Sequence, residues 1–181
     1  MQEQRAGGRE QAIVPDTKDW TWVLEKPCPE CGFDAQEVRR DEVQRRVTTS
    51  AAAWPGVLAR PDADRRPAPG VWSPLEYACH VRDVHRVFEE RVRLMLAVED
   101  PLFVNWDQDE AAVTGAYADQ QPAVVADELV AAAASVARTY GEVSGEQWCR
   151  PGRRSNGSVF TVETLARYHL HDVEHHLHDV S

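Results

Sequence analysis

Five of the chain's seven histidines fall within one stretch near its end, Tyr168-His169-Leu170-His171-Asp172-Val173-Glu174-His175-His176-Leu177-His178. His171 and His175 are four positions apart, which on a helix puts both rings on one face, roughly 40° apart around the axis. Such a pair can give two ligands to a transition metal. A single helix cannot wrap a metal, so a third ligand must come from elsewhere, and the remaining histidines are His80 and His85. Asp172 and His176 form a rival pair at the same spacing. The cysteines are Cys28, Cys31, Cys79 and Cys149. Cys28 and Cys31 stand in Cys28-Pro29-Glu30-Cys31-Gly32, a turn that can present two thiolates to zinc. A closed zinc site needs four ligands, however, and there is no second Cys-x-x-Cys. A plain tight turn leading into a helix accounts for the segment equally well.

The elements that must position these residues are legible in outline. At 181 residues the chain fits one domain with its own core. Residues 1–19 are polar and aperiodic and read as a flexible tail; residues 20–181 read as a single helical domain, with the Cys-x-x-Cys lead-in at 26–34. Val38, Val43, Val47, Ala51 and Trp54 recur at helical spacing, so a first helix is expected over 35–58, capped by Asp34 and ended or kinked by Pro55. Ser73, Pro74 and Glu76 make a capping box with proline at the first helical position, which starts a second helix running to about Val98. On its wheel His80 and Arg91 share a face with Val84, Val87, Phe88 and Met95, while His85 falls to the side. Residues 101–121 form a long connection. Pro122 then opens a third helix to about Tyr140, and a fourth covers 161–180. The loop between them carries Arg150, Arg153 and Arg154, a run that is solvated by default or forms an anion-binding lip. Four long helices without a convincing strand pair predict an all-α four-helix bundle.

The wheel of the last helix does not choose between the two pairs. Val162, Leu165, Val173, Leu177 and Val180 gather on one side; His171 and His175 fall almost opposite, and Asp172 and His176 lie nearer the apolar side. A site built on His171 and His175 is therefore expected to be an accessible cleft. Composition narrows the partners. A formal net charge of -10 opposes a sequence-independent grip on nucleic acid. No apolar run approaches the ~20 residues of a membrane helix, and the amino terminus lacks the apolar core of a secretion signal, so a cytoplasmic protein with reduced cysteines is expected.

Three motifs in order carry a resemblance: Trp72-Ser73-Pro74-Leu75-Glu76 followed by His80 and Asp83; Asn105-Trp106-Asp107-Gln108-Asp109; and His171-Asp172-Val173-Glu174-His175-His176. Over about residues 28–180 the chain resembles the DinB-like metalloprotein superfamily, particularly its actinobacterial members. The resemblance implies a four-helix bundle holding a divalent metal through three histidines, one from the second helix and two from the last. Carried over, these are His80, His171 and His175, with zinc or nickel as the metal. It also implies a thiol-dependent transferase or isomerase acting on a small electrophile, with mycothiol as cosubstrate. Asp172 or Glu174 would then orient an imidazole, and Arg91 or Arg153 would pair with a substrate carboxylate. The competing expectations are a non-catalytic, stress-related metal-binding protein and a plain helical bundle that dimerises.

Overall fold

The computed structural model describes Ile13 and residues 18–181, so the tail expected over 1–19 falls almost wholly outside the described residues. The strongest local signal in the sequence sets the longest helix. Ser73 accepts from the Glu76 N–H at 3.2 Å, and the Glu76 carboxylate accepts from the Ser73 N–H at 2.8 Å. With Pro74 at the first position, α2 runs Pro74–Ala97. Around it lie α1 (Val43–Leu58), the short α3 (Gln108–Thr114), α4 (Pro122–Glu142) and α5 (Val162–Asp179). The expected all-α bundle is the observed architecture. A small antiparallel hairpin, β1 (Pro151–Arg153) and β2 (Val159–Thr161), was not expected; it pairs Gly152 with Phe160. A Cβ on Gly152 would stand 2.5 Å from Phe103 and 2.8 Å from Met95, so glycine is what lets the hairpin lie against α2.

The four long helices are not arranged in sequence order. α4 packs against both α1 and α2, and α5 also packs against both, whereas α1 and α2 face each other across the core, as do α4 and α5. Linkers 59–73 and 143–161 therefore cross the ends of the bundle. Trp54, Leu75, Met95, Leu129, Leu165 and Leu170 fill the interior. Because α2 lies between α4 and α5, it is buried on more than one face. His85 is accordingly in the core, not at the side where the wheel put it.

The expected first helix begins late. Asp34 does cap, but it caps a 3-10 turn at Ala35–Glu37, accepting from the Gln36 N–H at 2.8 Å, and the α-helix proper starts only at Val43. Pro55 sits in its last turn without ending it, and the helix continues to Leu58. A 3-10 turn at Trp20–Leu24 precedes, capped by Asp19. Gln36 Nε2 ties the two turns by donating to Leu24 O at 2.7 Å. Ion pairs fasten this lead-in region and α1 to α5: Arg40 with Glu163, and Arg46 with Glu174 at 2.9 Å. Asp83 clamps α2 to the turn at Tyr117–Asp119, accepting from the Tyr117 hydroxyl at 2.6 Å.

Glu76 contributes beyond capping, since its buried carboxylate also takes Arg66 Nε at 2.9 Å. Burial raises its pKa, but Arg66 and Ser73 lower it further, leaving a net depression. A carboxyl depressed on folding stabilises the protein above the unfolded pKa of about 4.3, and that contribution fades as pH falls through the folded value. Ser73→Ala is expected to cost about 1 kcal/mol in denaturant unfolding. Glu76→Gln should cost about 1.5–3 kcal/mol at neutral pH. The gap between Glu76→Gln and the parent should close on acidification below about pH 4, and a gap that persists unchanged there would disprove the linkage.

Candidate metal centre

An α-helix turns 100° per residue, so positions 171 and 175 of α5 and positions 172 and 176 form two adjacent stripes. The structure gives each stripe different company. His80 comes together with Asp172 and His176, their donor atoms all within 4.8 Å of one another. His171 and His175 come together with Cys28 and Cys31 under the same limit. The expected triad of His80, His171 and His175 is thus divided. His80 meets the rival pair on the stripe that faces α2, and the other histidines face the lead-in. Spacing does not separate the pairs, because both have it; which stripe lies beside His80 is set by how α5 is rotated against α2.

At the first group, Asp172 Oδ1 lies 3.5 Å from His80 Nε2 and 3.8 Å from His176 Nε2. Both nitrogens of His80 and Asp172 Oδ1 are buried with no hydrogen-bond partner. Native interiors rarely leave such atoms unpaired unless an ion or water completes them. Separations of 3.5–3.8 Å between donors suit a cation bonded to each at about 2.0–2.2 Å. Trp72 and Trp106 flank His80, with ring centroids at 5.2 and 5.6 Å, and hold its plane. His176 Nδ1 bonds Asp179 at 3.0 Å, which fixes Nδ1 as the protonated nitrogen and leaves the Nε2 lone pair facing Asp172. Burial lowers the pKa of His80. It would raise that of Asp172, but the neighbouring imidazoles more than offset this and hold the carboxyl well below its usual range. Neutral imidazoles and an ionised carboxylate are the protonation states a divalent metal requires.

The centre opens on a cleft of about 720 Å³ between α2 and α5, lined also by Trp20, Tyr77, Arg91 and Arg154. Of the two arginines expected to meet a substrate carboxylate, Arg91 lines the cleft, whereas Arg153 pairs with Asp100 at 3.1 Å. Arg154 takes the place of Arg153. Arg91 is buried between the rings of Phe88 and Phe103, at 5.5 and 5.4 Å, and among the described residues no carboxylate pairs with it. Burial, then Arg154, pushes its pKa down to about 10, so it remains a cation at neutral pH. Glu174, expected to orient an imidazole, is bonded instead to Arg46. Asp172 belongs to the donor set itself.

The cleft expected beside His171 and His175 is present, since both line it, although each is itself largely covered. Trp20 covers their rings at 5.5 and 5.2 Å, and Phe33 meets His171 edge-on at 5.5 Å. Burial pushes the His171 imidazole down to about 4 and the Cys31 thiol up to about 11. His169 does something else again. It accepts or donates between His85 Nδ1 at 3.0 Å and the Tyr140 hydroxyl at 3.1 Å, a buried polar chain with no metal-ligand geometry. Cys79 is buried and its thiol is pushed up to about 12 by that burial, so it is no nucleophile.

No curated protein matches the sequence significantly. Among solved structures the fold is similar to YfiT from Bacillus subtilis, described as a probable metal-dependent hydrolase with an unusual four-helix bundle topology; the TM-score is 0.69 and the identity 18%, over 77% of this chain and 82% of that one. A sequence model of the DinB superfamily matches residues 56–180, which include the whole of α2, α4 and α5 and every residue of the His80–Asp172–His176 group, and the chain belongs to that superfamily.

Proposed function

We propose that the protein is a divalent-metal-dependent enzyme whose metal is held by His80, Asp172 and His176 and whose cleft takes a small electrophilic substrate. One observation carries this reading: three buried polar atoms without hydrogen-bond partners, on His80 and Asp172, lie in a donor group beside an open cleft. Two imidazoles and one carboxylate leave coordination positions vacant for reactants and suit zinc or nickel. When bound, the metal supplies Lewis acidity and lowers the pKa of an adjacent water or thiol.

The chain's own residues bind and orient. Trp72 and Trp106 fix the His80 ring and keep water from its faces. Asp179 sets the tautomer of His176. Arg91 offers a cation to a substrate carboxylate, strengthened by its dry surroundings. A cleft of about 720 Å³ accommodates a low-molecular-weight thiol such as mycothiol together with a small electrophile. Its tryptophan and tyrosine walls are flat and amphipathic, as a glycosylated thiol would need. Water is the rival nucleophile, favoured by the fold shared with YfiT.

Metal-loaded protein incubated with a panel of carboxylate-bearing electrophiles is expected to turn over only when the thiol is added. Turnover without thiol would replace the transferase or isomerase reading with hydrolysis, and no turnover in either case would favour a metal-binding role. His80→Ala, Asp172→Asn and His176→Ala should each weaken metal binding at this centre more than about 100-fold in calorimetric titration, beyond the loss typical of an outer-shell change. Arg91→Ala should leave metal binding unchanged while raising KM for anionic substrates about 10- to 100-fold.

A further inference from the structure

We propose that Cys28, Cys31, His171 and His175 form a closed Cys2His2 zinc site that fastens the Cys-Pro-Glu-Cys-Gly turn to α5. The sequence shows half of such a site and no partner for it, because the other two ligands lie on the last helix: Cys28 and His175 are 147 positions apart. Folding brings Cys28 Sγ to 3.7 Å from His175 Nδ1, and all four donor atoms lie within 4.8 Å of one another. With Zn–S near 2.3 Å and Zn–N near 2.0–2.1 Å, a tetrahedral site has donor-to-donor edges of about 3.4–3.8 Å. The observed contact is already such an edge.

Three further observations point to a ligand and not to a plain turn. First, the backbone is shaped to present both sulfurs: Gly32 N–H donates to Cys28 O and Cys28 N–H to Phe33 O, each at 2.8 Å, and Gly32 takes a φ of +76° that favours glycine. None of the cysteines is in a disulfide. Second, His171, only 4% exposed, buries its Nε2 with no hydrogen-bond partner. Third, His175 turns Nδ1 to Cys28 and Nε2 toward carboxylates, Glu30 at 3.5 Å and Asp179 at 3.7 Å. A carboxylate behind the far ring nitrogen is how metal-bound imidazoles are oriented.

Two thiolates and two imidazoles in a tetrahedron favour zinc over the harder divalent cations. Binding would release both thiol protons to solvent and leave no position for substrate, so the site is structural. Its ligands are separate from those of the proposed catalytic centre, and it stands or falls independently of that reading. By holding positions 171 and 175, it fixes the rotation of α5 that aims 172 and 176 at His80.

Reduced protein freed of metal and loaded with cobalt(II) distinguishes the two sites, since thiolate ligation gives an intense near-ultraviolet charge-transfer band that imidazole and carboxylate do not. The band is expected in the parent and in a His80→Ala/Asp172→Asn variant, to be about halved in Cys28→Ser or Cys31→Ser alone, and to be lost when both are replaced. One equivalent of zinc should bleach it in the parent, with a rise in Tm that the doubly substituted variant lacks. A parent protein that binds cobalt with no such band overturns the site without reference to any variant's folding, and so does a band that survives both serine substitutions.

Discussion

Taking an imidazole or a carboxylate out of water costs several kcal/mol unless its polar atoms find partners, and α5 buries three such groups, His169, His171 and His175, as many as α2 does. The surrounding structure follows from how each one is satisfied. His169 points into the core, where His85 and the Tyr140 hydroxyl complete a hydrogen-bonded chain across the diagonal of the bundle. Asp172 and His176 meet His80 from α2. His171 and His175 meet the cysteines of the lead-in. Three directions around one helix thus require three different neighbours, and the diagonal arrangement supplies them: α5 touches α1 and α2 on its flanks and leaves a further face for the amino-terminal segment.

The clamps outside the two donor groups hold the same register. Arg40 and Arg46 reach Glu163 and Glu174 on α5, and Arg167 returns from α5 to the backbone of Val38 at 3.2 Å. Exposed ion pairs contribute little individually. These are partly shielded and span separate elements, so their effect is to set orientation more than to add stability. A rotation of α5 by one residue's 100° would carry Asp172 and His176 off the α2 face, which is why the helix needs restraint from two sides.

What was readable from the sequence was local. Ser73, Pro74 and Glu76 announce α2 because a cap is made by residues three apart, and the four helices follow from apolar spacing. The donor groups were harder to read for a physical reason. Both pairs on α5 have ligand spacing, and only docking against α2 decides which stripe faces His80. His85 was misplaced because a wheel assumes one buried face, whereas α2 is enclosed by α4 and α5 together. The hairpin at Pro151–Thr161 is too short to show alternation, and it forms because Gly152 can approach Phe103. Cys28 and Cys31 looked incomplete since their companions lie at the opposite end of the chain.

Trp20 has a consequence for how such proteins diversify. It covers His171 and His175 and also lines the cleft, yet it lies outside residues 56–180, the part the chain holds in common with its superfamily. Part of the cleft's contour is therefore written in a segment separate from the residues around His80 that would do chemistry. Replacing Trp20 would reshape the entrance without removing any donor on α2 or α5. The cleft wall is in this way shared between two stretches of the polypeptide, one carrying Trp20 and one carrying Arg91 and the donors, each free to change at its own rate.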